Sequence, residues 1–139
     1  MALAMARAFS DKKALDVITI DMRKMSSICD YFVIAGGTST TQVGALADHA
    51  QEVFKKSKER LWHVEGRRDA LWVVLDYGDV IGHVFLDEMR RFYDLERLWS
   101  DAPQKRFKEP AKRGPAKRKP AKRKVVRKKK PKSRKARRA

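Results

Sequence analysis

Leu71-Trp72-Val73-Val74-Leu75-Asp76-Tyr77-Gly78-Asp79-Val80-Ile81-Gly82-His83-Val84-Phe85-Leu86 is the stretch on which the fold turns. Leu71 to Leu75 is a bulky apolar run, Tyr77-Gly78-Asp79 supplies turn chemistry, and Val80 to Leu86 returns apolar, so the pattern predicts a β-hairpin. With Gly78-Asp79 as a two-residue loop, Trp72, Val74, Asp76, His83 and Phe85 share one face and Tyr77 falls on the other. A joint contact by Trp72 and Tyr77 then requires a bulge or a place for Tyr77 at the tip of the turn.

Downstream, Asp87 is placed to cap a short helix whose Met89, Phe92 and Tyr93 form an inward stripe, with Arg90, Arg91 and Arg97 facing out. Leu95, Leu98 and Trp99 are expected to pack the chain's end on the body. Upstream, Leu61 to Glu65 reads as a short strand closed by Gly66. Before it, Ser39 followed by Gln42 has the spacing of a capping box, and Val43, Leu46, Ala47, Ala50, Val53 and Phe54 fall on one helical face. Tyr31 to Ala35 is a continuous apolar run, expected as a central strand buried on both sides. Asp16 to Met22 alternates and is β-branched, which predicts another strand. The Ala-rich start, Met1 to Lys13, predicts a helix. The order is helix, strand, strand, helix, strand, strand, strand, helix. It predicts an α/β domain with a mixed five-stranded sheet and helices packed on it, over residues 1–103.

Charge divides the chain near Pro103. From Gln104 to Ala139 there are 20 Lys and Arg and one acid, Glu109, a balance of +19. The first 103 residues carry 14 basic and 16 acidic residues, leaving +17 for the whole chain of 139. Pro-Ala-Lys-Arg recurs from Pro110, Pro115 and Pro120. Few apolar residues and strong self-repulsion make residues 104–139 an expected disordered tail. Its lysines and arginines, such as Lys117, Arg118, Lys122, Arg123, Arg127 and Lys128, suit RNA phosphates, while Phe107 alone offers a ring for stacking bases. A solubilising or localising extension is the other reading. No run approaches the roughly 20 apolar residues of a membrane span, and a lone Cys29 fits a reducing compartment, so a cytoplasmic protein is expected.

Several residues invite a chemical reading. Gly36-Gly37-Thr38-Ser39, between a strand and a helix, could present amides to a phosphate, but it lacks both the Gly-Lys-Ser/Thr ending and a Gly-x-Gly-x-x-Gly pattern, so a plain strand-to-helix turn is favoured. Asp76 and Asp79 could hold a metal, but their spacing of three crosses a glycine turn. Asp76 with His83 resembles two parts of a triad with no nucleophile to complete it. His49, His63, His83 and Cys29 show no metal-ligand spacing, so no metal or other cofactor is expected. Trp72 and Tyr77 are rings of the type enriched at binding hot spots, and composition fits core packing equally well.

Taken together, Asp30 to Ala35, Gly37, Ser39, Gln42-Val43, Ala45 to Asp48, Val64 to Gly66, Trp72, Leu75 to Val80, His83 to Phe85 and the block Arg91-Phe92-Tyr93-x-Leu95-Glu96-x-Leu98-Trp99 resemble the ribosomal silencing factors, the Iojap-related proteins. The match runs from about Leu15 to Ala102. The resemblance implies a nucleotidyltransferase-like fold without catalytic acids and a non-enzymatic factor. That factor binds the large ribosomal subunit on ribosomal protein number fourteen, blocks joining of the small subunit, and lowers translation when nutrients are scarce. It also implies contact residues at Trp72, Tyr77 and Asp79, and a homodimer off the ribosome. Gly82 and Trp62 depart from the pattern, and the tail is an addition that would grip ribosomal RNA. Two other functions fit the sequence: a general RNA-binding protein driven by the tail, and a metal-dependent nucleotide enzyme using Gly37 to Ser39 with Asp76 and Asp79.

Overall fold

The computed structural model describes residues 1–108; the expected disorder of residues 109–139 and the candidate residues Lys117, Arg118, Lys122, Arg123, Arg127 and Lys128 lie outside them. In chain order the elements are α1 (Ala2–Asp11), β1 (Leu15–Asp21), β2 (Tyr31–Gly37), α2 (Thr40–Lys56), β3 (His63–Glu65), β4 (Trp72–Asp76), β5 (Val80–Leu86), α3 (Asp87–Tyr93), α4 (Leu95–Leu98) and β6 (Gln104–Arg106). The sheet runs β3-β4-β5-β2-β1-β6. Only β2 and β5 pair in parallel, and the other neighbours are antiparallel.

The central hairpin forms as its sequence dictates. Tyr77 N–H donates to Val80 O at 3.0 Å across the Gly78-Asp79 loop, with Gly78 at φ +87°. The Asp76 side chain closes the turn by accepting from Gly78 N–H at 2.8 Å. Pairing then runs Asp76↔Ile81, Val74↔His83 and Trp72↔Phe85. The apolar run of β2 lies in the middle of the sheet, and Val33, Ile34 and Ala35 are all buried. Helix α2 starts at Ser39, whose Oγ accepts from Gln42 N–H at 3.1 Å. Gln42 answers one residue earlier than a capping box prescribes, accepting from Thr38 N–H at 2.7 Å.

Helices α1 and α2 cover one face of the sheet. Met5, Phe9, Leu46 and Phe54 meet Val33, Val73, Leu75, Val84 and Tyr77 there. Gly82 finds its reason on this face: a Cβ would lie 2.7 Å from Met5 Sδ and 3.4 Å from Phe9 Cζ, so a β-branched residue would push α1 away. Among the described residues no long helix covers the opposite face. Ile20, Ile34 and Phe85 are buried on it, with Phe32, Trp72, Ile81, Met89, Leu95 and Trp99 packed around them and partly exposed.

Sequence expectations need correction at the sheet edge and in the last helices, where Asp87 opens α3 without capping it and Leu98 is exposed. The sheet has six strands, not five, because β6 pairs with β1 through Ile18↔Arg106, Thr19↔Lys105 and Ile20↔Gln104. The compact unit therefore runs to Lys108, past the composition break at Pro103. All three β6 side chains are exposed, so the strand carries no apolar alternation and is held by its backbone as an edge strand, where lysine and arginine are at home. The Gln104 side-chain amide adds bonds to Glu96 O at 2.7 Å and Trp99 O at 3.1 Å, fastening the strand to the end of α4.

The second correction concerns α3. Phe92 is 76% exposed and Tyr93 45% exposed, whereas Arg90, expected outside, is buried. The Arg90 guanidinium donates to Glu96 Oε2 at 2.9 Å, Leu15 O at 2.9 Å and Asp16 O at 2.6 Å. Leu15 and Asp16 stand where the β1–β2 register shifts and Asp16 is held at φ 41°, so the cation caps carbonyls that the irregular strand leaves open. Removing one member of a buried ion pair costs about 3–5 kcal/mol, whereas an exposed pair contributes about 0–1 kcal/mol. Arg90→Met is therefore expected to lower unfolding stability by about 3 kcal/mol or more. Arg91→Met, which breaks the exposed pair with Asp87, is expected to change it by less than about 1 kcal/mol. Chemical denaturation of both variants checks the contrast.

Candidate functional site

The helix-poor face holds a continuous set of rings. Trp72 from β4 stacks on Phe85 from β5 with ring centroids 4.9 Å apart, and Tyr93 from α3 lies 4.7 Å away on a tilted plane. Phe92 meets Tyr93 edge to face at 5.1 Å. Leu71, next to Trp72 in the chain, is also exposed. α3 has only seven residues and Asp94 ends it at φ 48°, leaving both Phe92 and Tyr93 exposed at its end.

His83 underlies Trp72. The indole Nε1–H donates to His83 Nδ1 at 3.1 Å, which makes His83 an acceptor at that nitrogen and leaves its proton on Nε2 in the neutral form. Phe32 closes against the imidazole edge at 4.6 Å. Burial pushes the His83 pKa down to about 4, so it is neutral at physiological pH and keeps the indole bond. The expected face of Trp72, Val74, Asp76, His83 and Phe85 is thus formed, but Asp76 and His83 are committed separately, one to the turn and the other to the indole.

The three candidate contact residues occupy different places. Trp72 is half-buried on the ring-rich face, and Asp79 is exposed at the hairpin tip. Asp79 O also accepts from Asp30 N–H at 2.7 Å and Tyr31 N–H at 3.1 Å, tying the tip to β2. Tyr77 is 6% exposed on the helix side, edge-on to Phe54 at 4.8 Å. No bulge brings it round, so Trp72 and Tyr77 stay on opposite faces.

The remaining chemical candidates are occupied in structural roles. Ser39 and Gln42 use the turn before α2 for capping, and a Cβ on Gly37 would lie 2.9 Å from Val43 Cγ2, so this glycine lets strand and helix approach. Cys29 is buried, and burial pushes its thiol up to about 11, away from a reactive thiolate. His63 Nε2 lies 3.0 Å from Glu65, and both are exposed. Among the described residues no group of three or more His, Cys, Asp or Glu is arranged to hold a metal ion, and no helix is long and apolar enough to cross a membrane.

The fold and this face define a small α/β domain with a helix-covered side and an aromatic side. Comparison with known proteins gives the class its name. A family model described as "Ribosomal silencing factor during starvation" matches residues 1–136. The ribosomal silencing factor RsfS of Halalkalibacterium halodurans is 42% identical over 96 residues, which span 69% of this chain and 82% of that protein. A crystal structure of a Bacillus halodurans protein is similar with a TM-score of 0.64 at 38% identity, covering 69% of this chain and 90% of the other. The mouse protein named "Mitochondrial assembly of ribosomal large subunit protein 1" is 33% identical over 92 residues, spanning 64% of this chain and 40% of its own length. The chain belongs to the ribosomal silencing factor family, whose members are ribosome-associated regulatory factors.

The His83–Trp72 bond has a pH signature. His83 titrates near 4 when folded and near 6.5 when unfolded, so folding favours the neutral ring. That contribution is fully present above pH 6.5 and is lost as pH falls from 6.5 toward 4, by about 1.4 kcal/mol per pH unit. Stability of the parent is expected to fall across this window and that of His83→Phe to stay flatter, as urea unfolding at stepped pH would reveal.

Proposed function

We propose that this chain binds the large ribosomal subunit through its aromatic face and blocks joining of the small subunit, repressing translation when nutrients are limiting. The observation that carries the reading is the half-buried Trp72 with the exposed Phe92 and Tyr93, where rings that a globular domain ordinarily buries stand together on the side that α1 and α2 leave uncovered. The binding partner is ribosomal protein number fourteen, in keeping with the family resemblance. Trp72 is the anchor, held by His83 and Phe85, and Asp79 supplies a charge at the tip. Tyr77 acts from beneath by fixing the hairpin against Phe54. Blockade follows from occupancy, so no reaction is required. The protein works in the cytoplasm, and off the ribosome the same apolar face serves a second copy of the chain.

The tail adds a second attachment. With Lys117, Arg118, Lys122, Arg123, Arg127 and Lys128 among its 20 basic residues, it neutralises ribosomal RNA phosphates near the docked domain and speeds association at low salt. β6 begins it at the sheet edge opposite β3. A reading in which the tail alone drives binding is separated by the same assay.

The test is co-sedimentation of the full chain with purified large subunits, followed by a subunit-joining assay. Trp72→Ala and Phe92→Asp are each expected to weaken binding at least about tenfold, the loss typical of a hot-spot residue, and to restore joining. Parent-level binding by both variants would assign association to the tail and overturn the reading.

A further inference from the structure

Trp62 is 68% exposed and lies just before β3, away from the aromatic face. It is not loose. Its backbone N–H donates to Asp76 O at 2.8 Å, and its benzo ring lies over the hairpin turn. A Cβ built on Gly78 would stand 2.9, 3.0 and 3.3 Å from Cζ2, Cε2 and Cη2, near-equal distances that mark a ring seated by its face. One side of the indole is therefore backed by the turn, and the exposure of the residue leaves the other available.

The stretch of chain before Trp62 is basic and uncommitted. Lys55, Lys56, Lys58 and Arg60 precede Trp62 with Glu59 as the one acid among them, all are exposed, and none takes part in an ion pair found among the described residues. Arg60, Leu61 and Trp62 line an open recess of about 390 Å³. Leu61 also borders the neighbouring groove, where Glu52 and Glu59 stand beside Lys55 and Lys58, so an anion is better received on the Arg60 side. A backed aromatic ring with a guanidinium beside it is the arrangement by which proteins hold unpaired bases, the ring stacking on the base and the cation meeting the phosphate.

We propose that Trp62 and Arg60 form a stacking site for an unpaired nucleotide of RNA. Duplex RNA is a poor ligand, because its bases are already stacked on one another. The site deepens the ribosome-binding reading by giving the docked domain its own RNA contact, on the β3 side of the sheet and away from the strand where the tail begins. It needs no ribosome to be measured.

The experiment compares the full chain with Trp62→Ala, Trp62→Phe and Arg60→Ala for binding to a short fluorescent oligoadenylate and to a duplex of equal length. Raised ionic strength weakens the tail's phosphate contacts and leaves stacking as the discriminating term. Trp62→Ala is expected to lose roughly tenfold in single-strand affinity, Trp62→Phe to keep most of it, and neither to change duplex binding. A 4-thiouridine oligonucleotide is expected to cross-link to the unaltered chain at Trp62, a readout that does not depend on how the variants fold. Single-strand affinity unchanged in Trp62→Ala, or cross-links confined to the tail, would overturn the proposal. So would a Trp62→Ala variant that loses large-subunit binding yet keeps oligonucleotide affinity, because the residue would then be a protein contact. Failure to bind large subunits with oligonucleotide stacking intact would count against the ribosomal reading alone.

Discussion

A six-stranded sheet has two faces to keep from water, and the described residues supply long helices for only one. α1 and α2 bury the side that carries Val33, Val73, Leu75 and Val84. The other side is closed by what remains: Trp72, Phe85, Tyr93 and Trp99 as rings, and two short helices folded back after β5. Those helices are too short to be stable alone and depend on tertiary anchors. Arg90 is the strongest of these, because it joins α3, α4 and the irregular start of β1 through one guanidinium.

The same economy of helix leaves the face incomplete. Trp72 cannot be fully covered by a helix of seven residues, so its indole is half-exposed while its N–H is satisfied from below by His83. Fixing a large ring before a partner arrives removes ordering cost from the binding step. The aromatic face is thus a product of folding, and in the proposed docking its rings are ordered before a partner arrives. Trp62 stands elsewhere, beyond β4 against the hairpin turn, and offers a ring of a different kind among unpaired cations.

Where residues declare their structure locally, the sequence was readable. Gly78-Asp79 fixed a two-residue loop, and from it came the register that places Trp72 with His83 and apart from Tyr77. Ser39 and Gln42 marked the start of α2. What escaped was structure held by partners remote in the chain. β6 has no buried side chain and exists because β1 offers an unpaired edge, so its lysine and arginine read as tail. Arg90 looked like a solvent-facing charge because the carbonyls that receive it lie some seventy residues away, at Leu15 and Asp16. Phe92 looked inward because its spacing from Met89 is that of one helical face, but the helix it belongs to ends at Asp94 and leaves it exposed.

The measurement that bears most directly on this account is site-specific photo-cross-linking from the surface itself. A benzophenone side chain in place of Phe92, in the full chain bound to purified large subunits, is predicted to capture ribosomal protein number fourteen and to lose that product when Trp72→Ala is added. Cross-links to RNA alone, to a different ribosomal protein, or equally strong in the Trp72→Ala background would contradict a docking role for the aromatic face.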